Sequence, residues 1–182
     1  MFWAGLTNKL GFWQTALAGT ALLAGLAGSA GAENMALEKC AAAAGSYVTT
    51  ITDIEGVFQS RGLITLGGDG SFVINDSGQG GVEGIYDPFS ASQGAWACAG
   101  AEGNEMNVKA VGLNFTLPKS AGRGGMGRVD YTATFNTEAN TLEGTIALRF
   151  SGADDLESAD PTIIDGPPFE EFQFSGHRIT VP

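Results

Sequence analysis

"GRVDYTATFNTEANTLEGTIALRF", residues 127–150, holds two runs of alternating side chains around one turn. In the first, Val129, Tyr131, Ala133 and Phe135 stand against Arg128, Asp130, Thr132 and Thr134. In the second, Leu142, Gly144, Ile146, Leu148 and Phe150 stand against Thr141, Glu143, Thr145 and Arg149. A period of two marks a strand with one buried face. The intervening "NTEANT" (136–141) is a tight-turn signal, so the two runs read as an antiparallel hairpin.

The same reading extends in both directions. Strands are expected at 45–53, 57–66, 70–76, 93–100, 105–117, 127–136, 141–150 and 169–181, separated by Gly, Asp, Asn and Pro. "GGDG" (67–70) is another tight turn; a phosphate cradle at "GGDGS" would need a helix behind it, and a strand follows instead. Longer connections fall at 77–92 and 151–168, with a Gly-rich one at 118–126. Eight sequential hairpin-linked strands imply an all-β, antiparallel up-and-down barrel, which removes exposed sheet edges. A sandwich would call for long crossovers, and no βαβ unit is visible.

The N-terminal region reads as targeting. Lys9 precedes an apolar stretch rich in Ala, Leu and Gly that ends in Ala30-Gly31-Ala32, a signal-peptidase pattern. Residues 1–32 are therefore expected to be a cleaved signal peptide rather than an anchor, 33–44 a short helix or extension, and 45–182 one barrel domain. "ALEKCAAAAG" (36–45) carries the helical signal, with Gly45 as its stop. The expected location is exported, periplasmic or secreted, with no stable membrane insertion after cleavage. The net charge of −11 argues against nucleic acid and anionic membrane surfaces. Two cysteines in an exported chain, Cys40 and Cys98, suggest one disulfide. With one histidine and no CxxC, a cysteine-based metal or catalytic site is the weaker alternative.

Alternation also assigns the interior. Phe72 and Ile74 share a face, as do Phe58, Ile64 and Leu66; on the last strand Phe172, Phe174, Gly176 and Arg178 oppose Glu171, Gln173, Ser175 and His177. An eight-stranded barrel is filled by side chains or holds one small ligand. Small residues at the inward positions Gly62, Ala133, Gly144 and Gly176 suit either outcome. The expected lining of a cavity is Phe72, Ile74, Tyr131, Phe135, Ile146, Leu148, Phe174 and Arg178.

Gly45-Ser46-Tyr47 opens the first strand, and Arg178 lies on the last. This pattern resembles the calycin superfamily, the lipocalin-like barrels, which have Gly-x-Trp at the first strand; here Tyr stands in place of Trp. The resemblance implies that Arg178 packs across that aromatic at the barrel's closed end. "GAWAC" (94–98) supplies a Gly-x-Trp in mid-chain. The chain is also similar to allene-oxide-cyclase-like and dirigent-like barrels in strand count and export signal, which implies an alternative activity as a cyclase or isomerase.

The residues are consistent with three functions. In the first, a carrier holds a small apolar molecule, its one expected partner. In the second, an enzyme uses Arg178, Glu83 and Tyr86 to steer charge. In the third, an interaction barrel has a solid core. Arg178, on the apolar face, must be paired or stacked, and Tyr47 or Trp96 is the expected structural partner. His177 falls on the polar face, so no catalytic residue is assigned. The acidic loop 152–165 lacks EF-hand spacing and reads as a solvated loop, so neither a metal nor a cofactor is expected. Loop 77–92, with Val82, Ile85, Tyr86 and Phe89 among glycines, is expected to lid the open end.

Overall fold

The computed structural model describes residues 40–83, 86–117, 124–151 and 167–182. It contains β1 (Gly45–Asp53), β2 (Phe58–Leu66), β3 (Ser71–Asp76), β4 (Ser92–Glu102), β5 (Glu105–Phe115), β6 (Met126–Asn136), β7 (Thr141–Ser151) and β8 (Glu170–Arg178). Each strand pairs antiparallel with its sequence neighbours, and β1 pairs with β8 to close the barrel. The fold class is thus the all-β, eight-stranded antiparallel barrel that alternation implies. Of the expected helix over 36–45, residues 36–39 lie outside the described residues; Cys40 and Ala41 are helical and a turn follows. The expected signal peptide, residues 1–32, and the acidic loop 152–165 also lie outside them.

Interior faces follow the alternation closely. In the opening hairpin, Tyr131 pairs with Ile146 and Phe135 with Leu142, and all four are buried. Leu142 and Phe135 continue into a core with Tyr47, Ile64, Leu66, Phe72, Met106 and Val108. Outward positions carry Arg61, Lys109, Glu143 and Glu171, all exposed. A polar outside around an apolar inside reverses the arrangement of a lipid-facing barrel. Among the described residues no helix is long and apolar enough to cross a membrane.

One facing expectation fails. Phe58 was expected to share the inward face of Ile64 and Leu66, but it is 57 % exposed. The register slips between Ile51–Ser60 and Thr52–Phe58, so Gln59 is the extra residue of a β-bulge. A bulge reverses the parity of whatever lies beyond it. Phe58 turns outward beneath the Arg61 guanidinium, while Gln59 Nε2 donates to Asp53 Oδ2 at 3.1 Å.

Small inward residues let strands approach rather than hollow the barrel. A Cβ at Gly144 would stand 2.0 Å from the Thr132 carbonyl oxygen, and one at Gly176 would stand 2.3 Å from that of Val48. Neither position can hold a side chain without separating its strands, which is how glycine permits tight barrel curvature.

The two ends differ. Turns 67–70, 103–104 and 137–140 close one end, where residues 40–44 also sit; the strand ends that flank the longer connections, at Asp76, Ser92, Phe115, Met126, Ser151 and Glu170, lie at the other. A disulfide joins Cys40 to Cys98 across 58 residues and anchors that N-terminal segment to β4. This is the expected pairing.

Candidate functional site

Arg178 organises the closed end. Its backbone pairs with Tyr47 across the β1–β8 seam, which puts both side chains inside. The guanidinium lies 4.7 Å from the Phe135 ring centroid and 5.5 Å from that of Tyr47. Its Nη2 donates to the carbonyls of Ala42 and Ala44 and to the Tyr47 hydroxyl. The hydroxyl in turn donates to the Ala43 carbonyl at 2.5 Å. Burial pushes the Tyr47 phenol up, and the neighbouring Arg178 charge opposes that shift. The guanidinium is thus held by two aromatic faces, two backbone carbonyls and the Tyr47 hydroxyl, while its Nε is buried without a partner.

Trp96 does not join this cluster. Its indole Nε1 donates to the Gly67 carbonyl at 2.7 Å, holding the β2–β3 turn against β4. The expectation of Tyr47 or Trp96 as partner resolves to Tyr47, with Phe135 as a second ring that alternation alone did not bring to Arg178.

The other half of the barrel holds a cavity of about 280 Å³. Of the eight expected lining residues, Ile74, Tyr131, Ile146 and Leu148 line it, and Phe72, Phe135, Phe174 and Arg178 do not. Phe72 and Phe174 lie beneath it, with ring centroids 5.0 and 5.7 Å from that of Tyr131, and the three rings make a floor. Phe135 and Arg178 belong to the packed end. Neither Arg178 nor Glu83 reaches the cavity; of the three residues considered for steering charge, Tyr86 alone lines it.

The lining has two chemical arcs. Val129 and Tyr131 of β6, Ile146 and Leu148 of β7 and Phe172 of β8 form an apolar arc. Ser60, Asp76, Gln79, Ser92 and Asn114 form a polar one. Sequence reasoning missed the polar arc, although a signal was present. Ser60, Asp76, Ser92 and Asn114 share the inward parity of β2, β3, β4 and β5, each at or near the strand's open end. Inward positions that turn polar together at one end of several strands outline the mouth of a pocket.

Hydrogen bonds fix this arc. Ser60 Oγ donates to Asp76 Oδ2 at 2.8 Å, and the Gly78 amide donates to Asp76 Oδ1 at 2.6 Å. Asn114 Nδ2 donates to Ser92 Oγ at 3.1 Å. Asn114 Oδ1 and Gln79 Nε2 are buried without a partner. The Tyr131 phenol is raised well above its ordinary value by burial first and by the Asp76 charge second; Tyr86 shifts the same way for the same two reasons.

The described residues of loop 77–91, 77–83 and 86–91, fold against this end. Phe89 bridges Thr116, Val82 bridges Tyr86, and the Leu117 amide donates to the Pro88 carbonyl at 2.6 Å. Tyr86 and Phe89, ring centroids 6.2 Å apart, stand on the cavity wall. Ile85 lies outside the described residues. The rim is apolar: Val57, Phe58, Phe115, Leu117, Phe150 and Phe169 are each more than half or nearly half exposed. His177 stands outside the barrel opposite Val48, and it is exposed. Among the described residues no group of three His, Cys, Asp or Glu side chains could hold a metal ion.

The fold defines the class: an eight-stranded, antiparallel closed barrel, plugged at one end and hollow at the other, consistent with a calycin-like fold. No protein-family model matches the chain, and neither does any curated protein or solved structure compared with it.

Proposed function

We propose that this chain is an exported calycin-type barrel that binds a small hydrophobic ligand in its interior. The observation that carries this reading is the cavity itself, at the end opposite the tight turns. An engineered cavity of about 150 Å³ lined by apolar side chains accepts benzene. The larger volume here suits a single ring with a short substituent. An apolar rim favours capture of an apolar guest, and the Cys40–Cys98 disulfide suits an oxidising compartment. With Arg178 and Glu83 away from the cavity, the enzymatic alternative has less support than binding.

Native mass spectrometry on protein purified from its own host tests the proposal. A copurifying apolar molecule is the expected result. Its absence, together with failure to take up an apolar environment-sensitive fluorophore, would overturn the reading.

A further inference from the structure

Charge on the lining separates ligand classes that share an apolar body. Asp76, Asp87 and Glu170 are carboxylates of the lining, and none of the described lining residues is Lys, Arg or His. Among the described residues a carboxylate-headed guest would find no cationic partner there and would meet three like charges. The chain as a whole carries −11, so its field also repels anions on approach and draws cations in.

The buried amides supply an independent observation. Asn114 is only 5 % exposed, and its Oδ1 has no partner. That oxygen occupies interior space beside Gly127, where a Cβ would fall 2.4 Å from it. Inward-facing Asn114 is therefore accommodated by a glycine on the facing strand, and one acceptor is left over. A buried polar atom without a partner costs about 1 to 3 kcal/mol, which a ligand donor recovers. Asp76 adds carboxylate oxygens nearby on the polar arc, and its two protein donors leave lone pairs free. Asp76 and Asn114 thus supply acceptors on this arc, while Gln79 Nε2 offers two N–H donors and the Ser92 hydroxyl a third.

Aromatic faces complete the set. Tyr86, Phe89 and Phe172 line the same cavity, and ring faces attract a cation as well as an apolar ring. A head that donates several hydrogen bonds and carries positive charge satisfies Asp76, Asn114 and these faces together. We propose that the cavity selects a small single-ring or branched apolar molecule with a protonated amine head, held through Asp76 and Asn114, and rejects carboxylate-headed guests. This inference rests on the binding function proposed above and adds the ligand's chemical class to it.

Three probes with one body and different heads make the test: phenethylamine, phenethyl alcohol and phenylacetate, titrated calorimetrically into the full chain. The amine should bind roughly tenfold or more tighter than the carboxylate, with the alcohol between them. Asp76→Asn keeps an acceptor for the Gly78 amide, and it should remove most of the amine's margin while leaving the alcohol's affinity within about threefold. The head-group order on the unmodified protein needs no variant, so a folding defect in Asp76→Asn cannot rescue the proposal. Phenylacetate binding as tightly as phenethylamine would overturn it, as would an amine margin unchanged in a folded Asp76→Asn. If none of the three binds while an apolar fluorophore does, amine selection falls and ligand binding stands. If the fluorophore fails as well, both fall.

Discussion

At one end of the barrel, tight turns, a disulfide and an arginine between two rings leave no room; at the other, the same strands enclose about 280 Å³. The difference lies in what the inward positions carry. Toward the closed end they are Tyr47, Phe135, Leu142 and Ile64, each at most 1 % exposed. Toward the open end they become Ser60, Asp76, Ser92 and Asn114, which are shorter and need partners. One sheet thus serves as scaffold at one end and as receptacle at the other, and the Phe72–Tyr131–Phe174 layer divides them.

Truncation on either side of that layer is the strongest way to break the contrast. Phe135→Ala should cost about 5 kcal/mol, the upper end for a buried phenylalanine, because the contacts to Tyr47 and the Arg178 guanidinium go with it. Leu148→Ala, whose side chain faces space already open, should cost no more than about 1 kcal/mol. Urea unfolding of the two variants measures the difference, and equal losses would mean that the upper half is packed too.

Replacing Cys40 and Cys98 by serine should lower stability by about 4 kcal/mol, from the loop entropy of 58 residues. Guest binding in the upper half should be unchanged, as a fluorophore titration of the folded variant would show.

The dividing layer itself gives the smallest effect. Tyr131 is neutral in the folded barrel at a pH where the unfolded chain ionises, near its ordinary value of 10.0. Between that pH and its raised folded value the folded state holds one more proton. Stability should therefore fall as pH rises above about 10, by about 1.4 kcal/mol per pH unit from this phenol. Tyr131→Phe should remove that contribution, leaving those of Tyr47 and Tyr86, whose phenols are also raised, as urea midpoints across alkaline pH would reveal.

How much of this the sequence disclosed depends on distance along the chain. Alternation is local, and it placed Tyr131, Phe135, Ile146, Leu142 and Phe174 inside and His177 outside. The Gln59 bulge was hidden, because an extra residue leaves no mark on a single strand; it exists only against the partner register. Depth along the barrel axis was hidden for the same reason. Phe135 and Leu148 lie on the same inward face, yet one packs under Arg178 and the other lines the cavity. Only the strand pairing says how far each stands from an end.

Seven of the eight strand pairings join sequence neighbours; the eighth, β1 with β8, brings Tyr47 to Arg178 across 131 residues. Neighbouring hairpins can zip one after another at little cost in chain entropy, whereas closing the ring joins distant parts of the chain. Arg178 stands at that seam, and it grips the carbonyls of Ala42 and Ala44 just before β1 begins. The contact that packs the closed end is therefore also the clasp across the barrel's one seam between distant parts of the chain.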